Sequence, residues 1–89
     1  MQVVNEIRQF IDLAQQQYAD AFSASDDSGM FETSYSLTRV YSLLGNLSLA
    51  GRWAHESEKH TQDPAKILAI NMVLLCGLIK QKYLNHQRG

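Results

Sequence analysis

Residues 67–79 form the most apolar run of this 89-residue chain, and this run limits the folds that the chain can adopt. Its 13 residues fall short of the roughly 20 apolar residues that a helix needs to cross a bilayer. The run is also apolar on nearly every side, whereas a surface helix keeps one polar face. We therefore expect a helix that is buried by the rest of the chain, by a second copy or by another protein.

The N-terminal segment has the pattern of an amphipathic helix. Its apolar residues recur at steps of three and four from Val3 to Phe22, which is the helical period. Residues 23–29 are rich in Ser, Asp and Gly, which favour turns and caps over helix interiors. The sequence predicts a first helix over about residues 2–23.

A second apolar stripe predicts a helix over about residues 30–50. Gly45 and Asn46 interrupt this stripe only weakly, because the apolar period continues beyond them. Gly51 is the predicted stop, since glycine is the preferred residue just past a helix C-terminus.

The next segment, over about residues 52–61, is predicted to be a short helix anchored by Trp53. Trp53 follows Leu44 by nine residues, which places it on the opposite side of a continuous helix. A break between the two residues allows Trp53 to turn back toward the core. A helix this short needs tertiary contacts to be stable.

Asp63 and Pro64 predict the start of the last helix, over about residues 64–85. Asp is a good N-cap residue, and proline suits the first helical position. The helix ends in basic residues, which interact favourably with the helix dipole. The predicted fold class is all-α, a single helical domain over residues 1–89 that forms a small bundle of three long helices and one short one.

Composition and charge narrow the classes of function. A hydrophobic content of 45% and a charged content of 19% are typical of a folded globular chain. Residues 1–33 hold six acids and one base, a net charge of −5, whereas residues 34–89 hold seven bases and three acids, a net charge of +4. These halves can attract each other within one fold or between copies. So balanced a chain is a poor candidate for nonspecific nucleic-acid binding.

Two features favour the cytoplasm as the location of the protein. The N-terminus lacks the basic and then apolar pattern of a signal peptide. Cys76 is the single cysteine, so the chain cannot form an internal disulfide.

The polar segment over residues 52–60 carries the residues that could serve an enzyme. His55 and His60 are five residues apart, whereas a zinc-binding helix needs a spacing of four to place both rings on one face. With Arg52, the segment resembles the helical ribonucleases of the HEPN class in composition but not in spacing. We expect a solvated helix face without metal or cofactor. A nuclease-like or metal-dependent enzyme is the alternative, and any further role of His55, Glu56 and His60 stays open.

Cys76 and Gly77 lie in the middle of the apolar run. A reactive thiol needs a basic and partly exposed environment, so Cys76 is predicted to be a small buried hydrophobic residue. Gly77 costs the helix about 1 kcal/mol relative to alanine. We therefore expect another helix to cross closely at this glycine.

The function predicted from these features is protein binding, without catalytic activity. The excess of apolar helix surface predicts a small regulatory protein of the adaptor, chaperone, immunity or inhibitor type that forms a homodimer or binds a dedicated protein partner. Neither a membrane nor a nucleic acid is expected as a partner. The predicted interface lies on the last helix and comprises Leu68, Met72, Leu75, Cys76, Gly77, Ile79 and Tyr83.

Overall fold

The computed structural model describes the backbone of residues 2–88 and the side chains of residues 4–83. Over this range the chain forms four α-helices and no strand, which confirms the predicted all-α fold. The helices are α1 (Gln2–Ser23), α2 (Asp27–Leu43), α3 (Leu47–Lys59) and α4 (Pro64–Arg88).

The turn between α1 and α2 is shorter than predicted, because its acidic residues cap a helix. The Asp26 carboxylate accepts a hydrogen bond from the Gly29 backbone N–H at 3.0 Å, which satisfies a donor that the first helical turn leaves free. Ser25 takes a left-handed conformation with φ of 55°. As a result α2 begins at Asp27, three residues before the predicted start.

The boundary between α2 and α3 lies at Gly45, so the predicted break at Gly51 is wrong. Gly45 has φ of +78°, a conformation that costs little only for glycine, and Asn46 then caps α3 by accepting from the Leu49 N–H at 3.2 Å. Gly51 lies inside α3. In place of the predicted helices over 30–50 and 52–61, the structure has helices over Asp27–Leu43 and Leu47–Lys59. A break at Gly45 also gives Trp53 the turn toward the core that its spacing from Leu44 demanded.

The start of α4 agrees with the prediction. The Asp63 carboxylate accepts from the Ala65 N–H at 3.0 Å, and Pro64 is the first residue of the helix. The helix continues to Arg88, three residues past the predicted end at 85.

The four helices form a flat layer around α2. α2 packs against the three other helices, and α4 packs against both α2 and α3, whereas the backbones of α1 and α4 do not come within packing distance. The molecule measures 47 × 34 × 16 Å, and its radius of gyration of 13.9 Å exceeds the roughly 12 Å expected for a compact chain of this length. This shape leaves outward helix faces without a neighbour.

The best-packed region is the contact between α2 and α3, which we call the α2–α3 seam. Leu37 and Ala50 are fully buried there. Two buried hydroxyls complete the contact, because Ser57 donates to Ser34 at 2.9 Å and Ser34 donates to the Met30 carbonyl at 2.6 Å. Small side chains let the two helices approach closely, and the hydrogen bonds offset the cost of burying polar groups.

Candidate functional site

Most of the apolar surface that the fold leaves open lies on α4. Half of the large hydrophobic side chains that are exposed among the described residues belong to this one helix. The others lie on α1 and at the end of α2. They are Val4, Phe10, Leu13, Phe22, Leu43 and Leu44.

Five of the six large hydrophobic residues that are exposed in the described part of α4 form one continuous face, which we call the outer stripe. The sixth, Leu78, lies beside this face, about 80° around the helix from Leu68. At 100° per residue, Leu68, Met72, Leu75 and Ile79 fall within about 60° of arc, and Tyr83 lies close beside them. Their steps of four, three and four residues match the seam of a coiled coil. All five side chains are between 51% and 62% exposed.

The opposite face of α4 is the part that the fold buries. Ile70 is fully buried in a cluster with Phe31 and Ala54, and Leu74 packs against the same cluster. A Cβ atom at Gly77 would lie 3.1 Å from the Leu47 side chain and 3.2 Å from the Ser42 side chain. This tight fit confirms the predicted close crossing at Gly77.

The chain itself does not bury residues 67–79 on nearly every side, so burial of the remaining surface by a second copy or another protein stays a prediction. Only 11% of the apolar stretch within Pro64–Tyr83 is buried. The physical reason is the flat arrangement, in which α2 and α3 cover one face of α4 while the backbone of α1 does not approach it closely.

The seven predicted interface residues therefore fall into three groups. The five residues of the outer stripe are exposed and lie together. Gly77 is buried against α2 and α3 and cannot contribute to an outward surface. Cys76 is exposed, so its prediction as a buried residue is wrong. It lies between the outer stripe and the buried face, about 80° around the helix from Leu68.

The same helix meets a length and composition test for a membrane span. Pro64–Tyr83 has 20 residues and a mean hydropathy of 1.3. The apolar run of 13 residues is thus part of a longer segment than the sequence argument considered. One such helix is weak evidence for a membrane span, so the expectation that no membrane is a partner stays a prediction.

A second group of chemically distinctive residues joins α1, α2 and α3, and we call it the Tyr18 network. The Tyr18 hydroxyl lies 3.0 Å from Glu56 Oε2, to which it donates, and 3.2 Å from His60 Nε2. His60 Nδ1 lies 2.7 Å from Asp27 Oδ1. Lys59 pairs with the other oxygen of Glu56 at 3.1 Å. The Tyr18 ring also meets Trp53 edge to face at 5.3 Å.

The network keeps its phenol neutral. Burial raises the pKa of Tyr18 to about 12, and the hydrogen bond and negative charge of Glu56 act in the same direction. The hydrogen bond from Lys59 lowers the pKa of Glu56 against the opposing effect of burial, and the bond from Tyr18 adds to this lowering. A phenol with a raised pKa is a poor nucleophile and a poor general base near neutral pH. The arrangement instead ties three helices together.

Only part of this network could be predicted from the sequence. Glu56 and His60 belong to the polar segment over residues 52–60, whereas Tyr18 and Asp27 are 38 and 33 residues from their partners. His55 is exposed and lies outside the hydrogen bonds of the network. Within the described residues, no three His, Cys, Asp or Glu side chains are placed to hold a metal ion. An enzyme that uses the 52–60 segment stays an alternative prediction.

Comparisons of the chain with protein-family models, curated proteins and solved structures found no match. The geometry of the outer stripe is therefore the basis on which a function can be argued.

Proposed function

We propose that this chain is a small protein-interaction module that self-associates through the outer stripe of α4. The observation that supports the proposal is the continuous exposure of Leu68, Met72, Leu75, Ile79 and Tyr83 on one helix face. Soluble monomers rarely expose a large continuous apolar patch, and such a patch usually marks an interaction surface. Burying such side chains contributes about 25 cal/mol for each Å² removed from water.

A second copy is the occupant that suits this face best. An apolar stripe at coiled-coil spacing packs well against an identical stripe, because knobs on one helix fit holes on the other. A two-fold axis across the stripe makes one surface serve both partners and closes the assembly at two copies.

Charge favours an antiparallel arrangement of the two α4 helices. Lys80 and Lys82 lie near the C-terminal end of the stripe, and Asp63 precedes its N-terminal end. A parallel pair would place the lysines of both copies side by side. An antiparallel pair keeps the lysines of the two copies apart and also opposes the two helix dipoles.

The length of the stripe sets the expected strength. Leu68 to Tyr83 spans about 22 Å of helix. One helix pair of this length buries less than the roughly 1,600 Å² of a standard stable interface. We therefore expect a reversible dimer whose population rises with protein concentration, not an obligate one.

Sedimentation equilibrium across a wide concentration range tests the proposal. The chain with its natural sequence should shift from monomer to dimer. Leu75→Glu should remain a monomer, because it places a charge at the centre of the contact. Leu13→Glu on α1 is the matched control, since it makes the same change at a leucine of similar exposure, 56% against 51%, on another helix. We expect this control variant to dimerise normally.

Two outcomes would contradict the proposal. The first is a natural chain that sediments as a folded monomer at all concentrations. The second is equal loss of dimer in both variants, which would show a general effect of added charge. Circular dichroism of each variant confirms that helix content is unchanged.

A further inference from the structure

The groove between α2 and α4 is distinct from the outer stripe and has the form of a small-molecule site. Its volume is about 400 Å³, which falls in the usual range for ligand pockets. Its walls are largely apolar, with Leu43 on the α2 side and Met72, Val73 and Cys76 on the α4 side. Only Met72 also belongs to the outer stripe.

Every charged residue that lines this groove is a cation. Arg39 and Lys80 line it, and no acidic residue does. Lys80 Nζ donates to the Leu43 carbonyl at 2.8 Å, near the end of α2, and Arg39 lies one turn earlier on that helix, about 6 Å along its axis. Within residues 4–83 neither cation forms a salt bridge. The groove therefore carries positive charge without a carboxylate to balance it.

A buried hydroxyl of the groove lacks a hydrogen-bond partner. Ser42 lines the groove and is 5% exposed, and its Oγ is the one buried side-chain polar atom without a partner in the described part of the chain. Buried hydroxyls are almost always paired, so an unpaired one needs an explanation. This Oγ is closed off from solvent, so a ligand oxygen in the groove could pair with it only if neighbouring side chains moved.

We propose that the α2–α4 groove binds a free single-chain amphiphilic anion, namely a carboxylate with an apolar tail. The tail would lie along Met72, Val73 and Cys76, and the carboxylate would face Arg39 and Lys80. The apolar walls exclude a fully polar anion as a good ligand, and the uncompensated cations disfavour a neutral or cationic amphiphile. This binding site does not depend on self-association through the outer stripe.

Cys76 provides a direct reporter of occupancy, because it is the single cysteine of the chain, lines the groove and is exposed. The rate at which iodoacetamide alkylates Cys76 can be measured with dodecanoate and with dodecyltrimethylammonium, each below its micelle concentration. Dodecanoate should slow the reaction saturably, and the ammonium compound of equal chain length should not. In the series from octanoate to dodecanoate, affinity should rise about fourfold for each added methylene.

Matched variants test the role of the cations. Arg39→Gln combined with Lys80→Gln should weaken dodecanoate binding by at least about tenfold, because two charged partners are lost. Lys82→Gln, two residues away on the same helix and outside the groove, should leave binding unchanged. Circular dichroism checks that each variant keeps its helix content.

Several results would overturn the inference. Equal protection by the cationic amphiphile would show nonspecific apolar adsorption, and equal weakening by Lys82→Gln would show a general charge effect. Protection by anionic phospholipid vesicles but not by free dodecanoate would assign the groove to a membrane surface. Protection that rises with protein concentration without ligand, and that persists in Leu75→Glu, would assign the groove to a second copy. The first three results leave the proposed dimer intact, because sedimentation measures it separately.

Discussion

The α2–α3 seam and the outer stripe of α4 differ in how much of their apolar surface the fold buries. The seam uses small residues and hydroxyls, such as Ala50 and Ser57, and it is closed within one chain. The outer stripe uses large aliphatic residues, such as Leu75 and Ile79, and the fold leaves it open. The more apolar segment of the sequence is thus the less buried one. Burial depends on which faces the topology covers, and hydrophobicity alone does not decide it.

The largest difference in stability between substitutions of buried and exposed residues should appear on the two faces of α4. Ile70→Ala removes a fully buried side chain and should lower the free energy of unfolding by about 2–5 kcal/mol. Leu75→Ala removes an exposed side chain and should change the stability of the monomer by less than about 0.5 kcal/mol. Urea unfolding of both variants at low protein concentration measures the difference. Similar losses in both would mean that the two faces of α4 are not distinct.

Two glycines allow a similar comparison between a tightly packed and an open position, with a smaller expected change in stability. Gly77→Leu forces a side chain into the tight contact with Ser42 and Leu47, and we expect it to lower stability by about 1–3 kcal/mol. Gly51→Leu places the same side chain where no atom lies within 4 Å of the new Cβ, and it should raise stability by up to about 1 kcal/mol through helix propensity. Thermal unfolding checks both variants. Stabilisation by Gly77→Leu would disprove the close crossing.

The Tyr18 network joins α1, α2 and α3 and lies apart from the outer stripe. Titration of Tyr18 should therefore affect the stability of the fold but not dimerisation. The pKa of Tyr18 is raised in the folded chain to about 12 from 10.0, so the folded state holds this proton more tightly than the unfolded state. Its contribution is complete below pH 10 and is lost as the pH rises from 10 toward 12. Urea unfolding across this range should show a steeper decline for the natural chain than for Tyr18→Phe. Equal declines in the free energy of unfolding of the two proteins would show that the Tyr18 proton does not contribute to stability.

Glu56 should give the smallest effect, at the acid end of the pH scale. Its pKa is lowered in the folded chain, chiefly by the hydrogen bond from Lys59, so its contribution is present above its ordinary value of 4.5. This contribution is lost as the pH falls through the lowered folded value. Glu56→Gln should therefore reduce the loss of stability between neutral and acid pH. An unchanged acid profile in Glu56→Gln would show that the pair with Lys59 contributes nothing to stability.

Local signals in the sequence predicted much of the fold. Asp63 and Pro64 predicted the start of α4. The loss of helix stability that a glycine causes at position 77 predicted that another helix crosses closely there. The break at Gly45 was missed because the apolar period runs through it, although the following Asn46 is a good N-cap residue. A Gly–Asn pair inside a helical pattern can outweigh periodicity, because it supplies both a stop and a start.

The candidate site was only partly predictable. The outer stripe follows from spacing along α4, so Leu68, Met72, Leu75, Ile79 and Tyr83 could be named without coordinates. Their exposure and that of Cys76 depend on α1 lying away from α4, which no local pattern encodes. The α2–α4 groove and the Tyr18 network join residues from different helices. Such contacts are set by topology and not by spacing.

Isotope-filtered NMR on a mixture of labelled and unlabelled chains can show whether the outer stripes of two copies are in contact. The measurement detects methyl contacts between copies and is blind to contacts within one copy. We expect intermolecular contacts at the Leu75 and Ile79 methyl groups that weaken on dilution, and none at the buried Ile70. A concentrated sample without contacts between copies, or with contacts confined to residues outside the outer stripe, would contradict this expectation.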